Sequence, residues 1–190
     1  MKFPDHPFWD FALGVYRSEG VPPACLNLQE RLGIDVNLML FCLWLGHSGR
    51  GRLDDAEMAQ VIAASDLWHR KIVKSLRFVR RALKDGFTEA PEDLRQQLRA
   101  QVQASEIDAE HLEQLILVAA APRAPVTADA PLTERGADAV ASFGSYLKTL
   151  SVTVEPRDAV DLAHILGKAF KGLAPDSALD LAETLMTRGI

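Results

Sequence analysis

From residue 7 to residue 185, apolar side chains recur every three or four positions, interrupted by short stretches of glycine, proline and small polar residues. That is the period of a helix with one buried face, whereas a half-buried strand needs a period of two. The one strand-like run, 151–154, is too short to found a sheet. No unit of about 20–50 residues repeats, so the expected class is all-α and non-repetitive.

The punctuation divides the chain. Asp5, His6 and Pro7 open a first helix with Phe8, Phe11, Ala12, Val15 and Tyr16 on its apolar face, and Gly20 breaks it. Pro22 and Pro23 start a second, carrying Ala24, Cys25, Leu28 and Leu32 and closed by Gly33. Asp35 caps a third, with Leu38, Phe41, Cys42 and Leu45, which is apolar nearly all round and is expected to be enclosed by the others. Its apolar run, 36–45, is interrupted by Asn37 and falls far short of the ~20 residues that cross a bilayer.

Asp54 and Asp55 begin a helix expected to pause at Ser65 and Asp66. A stronger one follows to Asp85, ended by Gly86, with Trp68, Ile72, Leu76, Val79 and Leu83 as its buried stripe. The next starts near Pro91 with Leu94, Leu98, Val102, Ala109, Leu112, Ile116 and Ala119 on one face, and the capping box from Ser105 to Asp108 marks a candidate break. The expected architecture is a helical bundle with these two helices as a long antiparallel hairpin. Residues 121–131 contain three prolines and read as a linker or crossover. Three shorter helices should follow, the first capped by Thr133, the second started by Pro156 and the third capped by Asp176. The chain thus divides into a bundle domain over 1–120, the 121–131 connection, and a three-helix segment over 132–190 packed on the first.

Twenty-one Lys and Arg against 26 Asp and Glu give a net charge of −5, which supplies no bulk attraction for nucleic acid or an anionic membrane. The average conceals polarity: residues 49–88 hold nine basic and five acidic side chains, and 89–131 hold three basic and eight acidic. Arg70, Lys74, Arg77, Arg81 and Lys84 fall within a narrow arc of one helix, a candidate face for an acidic protein partner or a phosphate. The acidic helix beside it is the competing explanation, since it can neutralise that face.

Chemistry-bearing motifs are sparse. The stretch 46–52 lacks the preceding strand and the Lys-Ser/Thr ending of a phosphate loop, and Asp54 and Asp55 place negative charge where a phosphate would sit. His6, His47, His69, His111 and His164 have no partner at i+4 and no nearby Cys-x-x-Cys, so no metal or cofactor is expected. Cys25 and Cys42 lie among leucines, a reduced, structural setting that favours the cytoplasm. The start of the chain has no apolar segment of signal-peptide type. No catalytic constellation is legible. Arg80, at the edge of its helix's apolar stripe, needs a partner for its charge that Asp35, Asn37 or Gln29 could supply, in either a buried polar network or a pocket walled by Trp9, Tyr16, Trp44 and Trp68.

The order and spacing of Phe8-Trp9-Asp10-Phe11-Ala12-Leu13, Tyr16, Ala24-Cys25-Leu26, Leu28-Gln29, Asp35-Val36-Asn37, Trp44-Leu45, Trp68, Leu76-Arg77 and Arg80-Arg81 resemble an uncharacterised bacterial family, domain of unknown function 2390. The resemblance covers residues 8–84 and, loosely, the following helix. It implies a cytosolic bacterial helical protein and carries no catalytic residues. The one-sided charge from Arg70 to Lys84 and the lack of a catalytic constellation make non-enzymatic interaction with another protein the expected role, through the basic helix or the 132–190 segment, with homo-oligomers as one form of it. The alternative is a small-molecule-binding protein or an enzyme of unrecognised class, with Trp9, Asn37, Trp44, Trp68 and Arg77 near its pocket.

Overall fold

The computed structural model describes residues 2–85, 87 and 89–187, and every regular element among them is helical. α1 (Pro7–Tyr16) begins where the His6 ring accepts the Trp9 amide, with Pro7 in the first turn. α2 (Val21–Leu32) is bounded by Gly20 and Gly33, both left-handed. α3 (Val36–His47) starts at the Asp35 cap and buries every residue from Asn37 to Gly46. It is the enclosed helix that its all-round apolar surface requires.

α7 (Leu132–Leu150) lies along α3, and glycine sets the approach. A Cβ on Gly46 would stand 2.3 Å from the Arg135 carbonyl oxygen and 2.7 Å from the Ala139 Cβ. α8 (Pro156–Ala169) packs on α2, pinned by Arg31 to Asp158 and Asp161 at 2.5 Å each, and α9 (Pro175–Thr187) covers α7 and α8. One continuous apolar core draws on α1–α3, on the helices over 55–68 and 92–120, and on α7–α9.

α4 (Asp55–Trp68) starts from a capping box between Asp54 and Glu57, and it does not pause at Ser65. It runs through a π-helical turn (His69–Val73) directly into α5 (Lys74–Asp85). The expected stop at Gly86 lies outside the described residues. α6 (Glu92–Ala120) continues unbroken through Ser105, whose hydroxyl bonds the Gln101 carbonyl. α5 and α6 pair in opposite chain directions: Arg77 meets Glu106 and Glu110, while the carbonyls of Leu83 and Lys84 accept from Arg95.

The inward faces of this pair differ from the expected stripes. Ile72 and Val79 are exposed, as are Leu94 (57%) and Leu98, while the π-turn directs His69 and Val73, and α5 directs Arg77 and Arg80, inward, His69 to Glu113 and the two arginines to Glu106 of α6. The π-turn accounts for the phasing. Ser65, His69, Val73 and Arg77 are four apart, a spacing that drifts ~40° per step around an α-helix, and a wider π-turn absorbs the drift. Thr133 is not a cap, since α7 begins at Leu132 after Pro131, and Asp176 sits inside the first turn of α9. Residues 152–154 form no strand. No helix among the described residues is long and apolar enough to cross a membrane.

Candidate functional site

Helices α1, α2, α3, α5 and α6 enclose a cleft of about 560 Å³. Trp9, Leu13 and Tyr16 form its α1 wall, Leu40 and Ile107 add apolar surface, and Asp35, Asn37 and Gln114 supply polar groups. Trp9 is fixed by stacking on His111, centroids 4.0 Å apart and planes 2° from parallel, while Phe3 stacks on that imidazole at 3.9 Å. Burial lowers the His111 pKa, and its Nε2 is buried without a partner among the described residues.

The α5–α6 side of the cleft is ionic. Arg77 donates to Glu106 at 3.0 Å, Glu110 at 2.7 Å and the Gln29 side-chain oxygen at 2.8 Å. Arg80 donates to both oxygens of Glu106. Burial alone would raise the Glu106 pKa, but the two guanidiniums outweigh it and hold the carboxyl below its usual value. Glu110 is shifted the other way, because desolvation exceeds what Arg77 returns. Thus the enclosed charge of Arg80 does find a partner, as its position on the helix demanded, but the partner is Glu106. Gln29 serves Arg77 instead.

Beneath this layer lies a second group. The His69 Nδ1 stands 2.9 Å from Glu113 Oε1 and 3.1 Å from Asp35 Oδ2. Asn37 ties both acids down: its backbone N–H donates to Asp35 Oδ1 at 2.9 Å, and its side-chain amide donates to Glu113 Oε2 at 2.7 Å. Gln114 in turn donates to the Asn37 side-chain oxygen at 3.0 Å, and the Asp35 amide donates to the Tyr146 hydroxyl at 2.8 Å. Glu113 has 0% exposure. Burial, followed by repulsion from Glu113, pushes the Asp35 pKa up to about 7. Burial opposes protonation of His69, yet the hydrogen bond to Glu113 and the two carboxylate charges raise its pKa overall.

Not all of the sequence candidates meet here. Trp9, Tyr16, Gln29, Asp35, Asn37, Arg77, Arg80 and Arg81 line the cleft. Trp44 is in the core beside Phe8 and Phe41, with Arg50 4.3 Å above its ring. Trp68 hands its indole N–H to the Ala109 carbonyl at 3.0 Å. The basic face is divided: Arg77 points into the cleft, Arg70 pairs with Asp66, and Lys74, Arg81 and Lys84 remain exposed. His69 and Glu113 had no sequence signal, because their partners are 34 and 44 positions away and only the packing of α3, the π-turn and α6 unites them. The stretch 46–52 serves packing, with the Gly49 carbonyl accepting from both the amide and the hydroxyl of Thr127. Cys25 and Cys42 are free and buried, and burial pushes the Cys25 thiol up to about 12.

Residues 7–117 match the family described as protein of unknown function (DUF2390), well over half of the chain. The chain belongs to the DUF2390 family. No curated protein and no solved structure matches it. The DUF2390 match extends past residue 84 through most of α6, so it takes in Glu106, Glu110 and Glu113, while Tyr146 lies outside it.

Proposed function

We propose that this DUF2390 protein binds a small anionic organic molecule in the cleft. The observation that carries the reading is one of composition in space: the flat wall of Trp9 and Tyr16 adjoins Arg17 and Arg81, exposed guanidiniums with no ion pair among the described residues. Arg77 and Arg80 are committed to carboxylates, which leaves Arg17 and Arg81 to meet a carboxylate or phosphate while the aromatics cover an apolar portion. A volume of about 560 Å³ falls within the ~300–1,000 Å³ usual for such sites. A bacterial, cytoplasmic setting belongs to the same reading, supported by two free buried cysteines. Native mass spectrometry of protein purified from its own host tests it. One retained small molecule is expected, lost in Arg81→Ala, which should melt at the temperature of the ligand-stripped wild type; protein free of any adduct, with no thermal shift across carboxylate and phosphate metabolites, overturns it.

A second reading, interaction between proteins, is favoured by the outer surface of α5 and α6. Phe78 is 73% exposed there, and Val79, Phe87, Leu94 and Leu98 are exposed as well. The occupant we assign is a second copy of the chain. Lys71 in the π-turn and Lys74 and Lys84 on α5, with Glu92 and Asp93 on α6, give the pair both signs of charge, so two copies placed antiparallel set basic against acidic surface. Sedimentation should show a dimer that Phe78→Asp dissociates; a wild-type monomer at high micromolar concentration removes this reading.

A further inference from the structure

We propose that Asp35, His69 and Glu113 form a binding site for a first-row divalent metal ion of the zinc or iron(II) type, at the inner end of the cleft. The site does not depend on what the cleft itself binds. One ligand atom from each residue lies within 4.8 Å of the others, and the imidazole nitrogen stands 2.9 and 3.1 Å from the two carboxylate oxygens. Metal bonds of ~2.0–2.2 Å at tetrahedral or octahedral angles place neighbouring donors about 3–3.5 Å apart, so small outward movements would admit an ion.

The arrangement behind the three donors is the second argument. Each carboxylate has one oxygen held from outside, Asp35 Oδ1 by the Asn37 amide and Glu113 Oε2 by the Asn37 side chain. The remaining oxygens, Oδ2 and Oε1, therefore converge on the His69 Nδ1. This is the outer-shell orientation that protein metal sites use to fix their ligands. Tyr146 steadies the Asp35 backbone by accepting its amide.

Charge supplies the third argument. Two carboxylates buried together repel and are poorly solvated, and a protonated imidazole offsets only one of them. A divalent cation neutralises both and displaces the Nδ1 proton. One imidazole with two carboxylates suits zinc or iron(II), whereas magnesium or calcium prefers oxygen alone. Asp35 and Asn37 line the cleft, which gives the ion a route in.

Chelator-stripped protein titrated with Zn²⁺ by calorimetry, with Mg²⁺ as the contrast, provides the test. One Zn²⁺ per chain is expected, with a raised melting temperature and release of protons. His69→Gln and Glu113→Gln should each weaken Zn²⁺ by at least about 100-fold, and Asn37→Ala, which keeps all three ligands, by about 10–100-fold. Circular dichroism checks that each variant folds. Co²⁺ added to the wild type gives an independent readout, the ligand-field absorption of a low-coordinate nitrogen and oxygen site. Arg81→Ala should leave Zn²⁺ affinity unchanged, which separates this site from the cleft ligand. Wild-type affinity no tighter than about 1 mM, equal binding by folded His69→Gln, or absence of the Co²⁺ absorption would overturn the proposal.

Discussion

Arg80 imposes a demand that is plain from its place in the chain. A guanidinium at the edge of an apolar stripe requires a partner, and that need is legible in the periodicity, but which of the acids meets it depends on how α6 is rotated. Arg80→Met should cost about 1–2 kcal/mol in chemical denaturation, less than the ~3–5 kcal/mol for breaking a fully buried pair, because Glu106 keeps Arg77. His111 offers a cleaner prediction. Its pKa is lowered by burial, so below the ordinary histidine value of ~6.5 the unfolded chain takes up a proton that the folded chain resists. The stability contributed by neutral His111 is thus present above that value and lost as pH falls toward its folded pKa. His111→Phe, which preserves the stack with Phe3 and Trp9, should flatten the fall in melting temperature between pH ~7 and ~5 relative to the wild type. Equal slopes in the two proteins would contradict it. His69, by contrast, looks isolated in the sequence because both of its acidic neighbours come from distant helices.

At the scale of elements, the stop at Gly33 and the caps at His6, Asp35 and Asp54 were legible because they are local, each cap side chain reaching an amide two or three residues on, whereas Thr133 and Asp176 lie inside their helices and do not cap. The all-α class follows from periodicity alone. The faces of α5 and α6 were not legible, since counting at 100° per residue cannot foresee a π-turn, and because the pair joins through charged residues and leaves leucines outside. The close approach of α3 to α7 at Gly46 leaves no room for a methyl group. Gly46→Ala should destabilise by about 1–3 kcal/mol, toward the upper end because the obstructing atom is a backbone carbonyl that cannot rotate away. A guanidinium chloride midpoint matching the wild type would show that the helices separate at no cost.

For the molecule as a whole, the sequence suggested a bundle with a three-helix segment leaning on it. The core is shared more deeply than that division implies: Ala139, Val140, Phe143 and Tyr146 of α7 belong to the same apolar cluster as Leu38, Phe41 and Leu45 of α3. A chain ended at residue 131 would expose one side of α3 along its length. It should therefore lack near-ultraviolet circular dichroism and bind hydrophobic dyes, and a cooperative melting transition in that fragment would refute this. Tyr146 joins the two segments. It lies outside the span shared with the family, yet its hydroxyl is the acceptor for the Asp35 amide. In this chain the two segments cannot change independently, for loss of the tyrosine strands a buried amide unless position 35 or its surroundings change in step. The site is thus assembled from both segments, and a recombinant joining 7–117 to a foreign tail would keep the acids without the hydroxyl that steadies them.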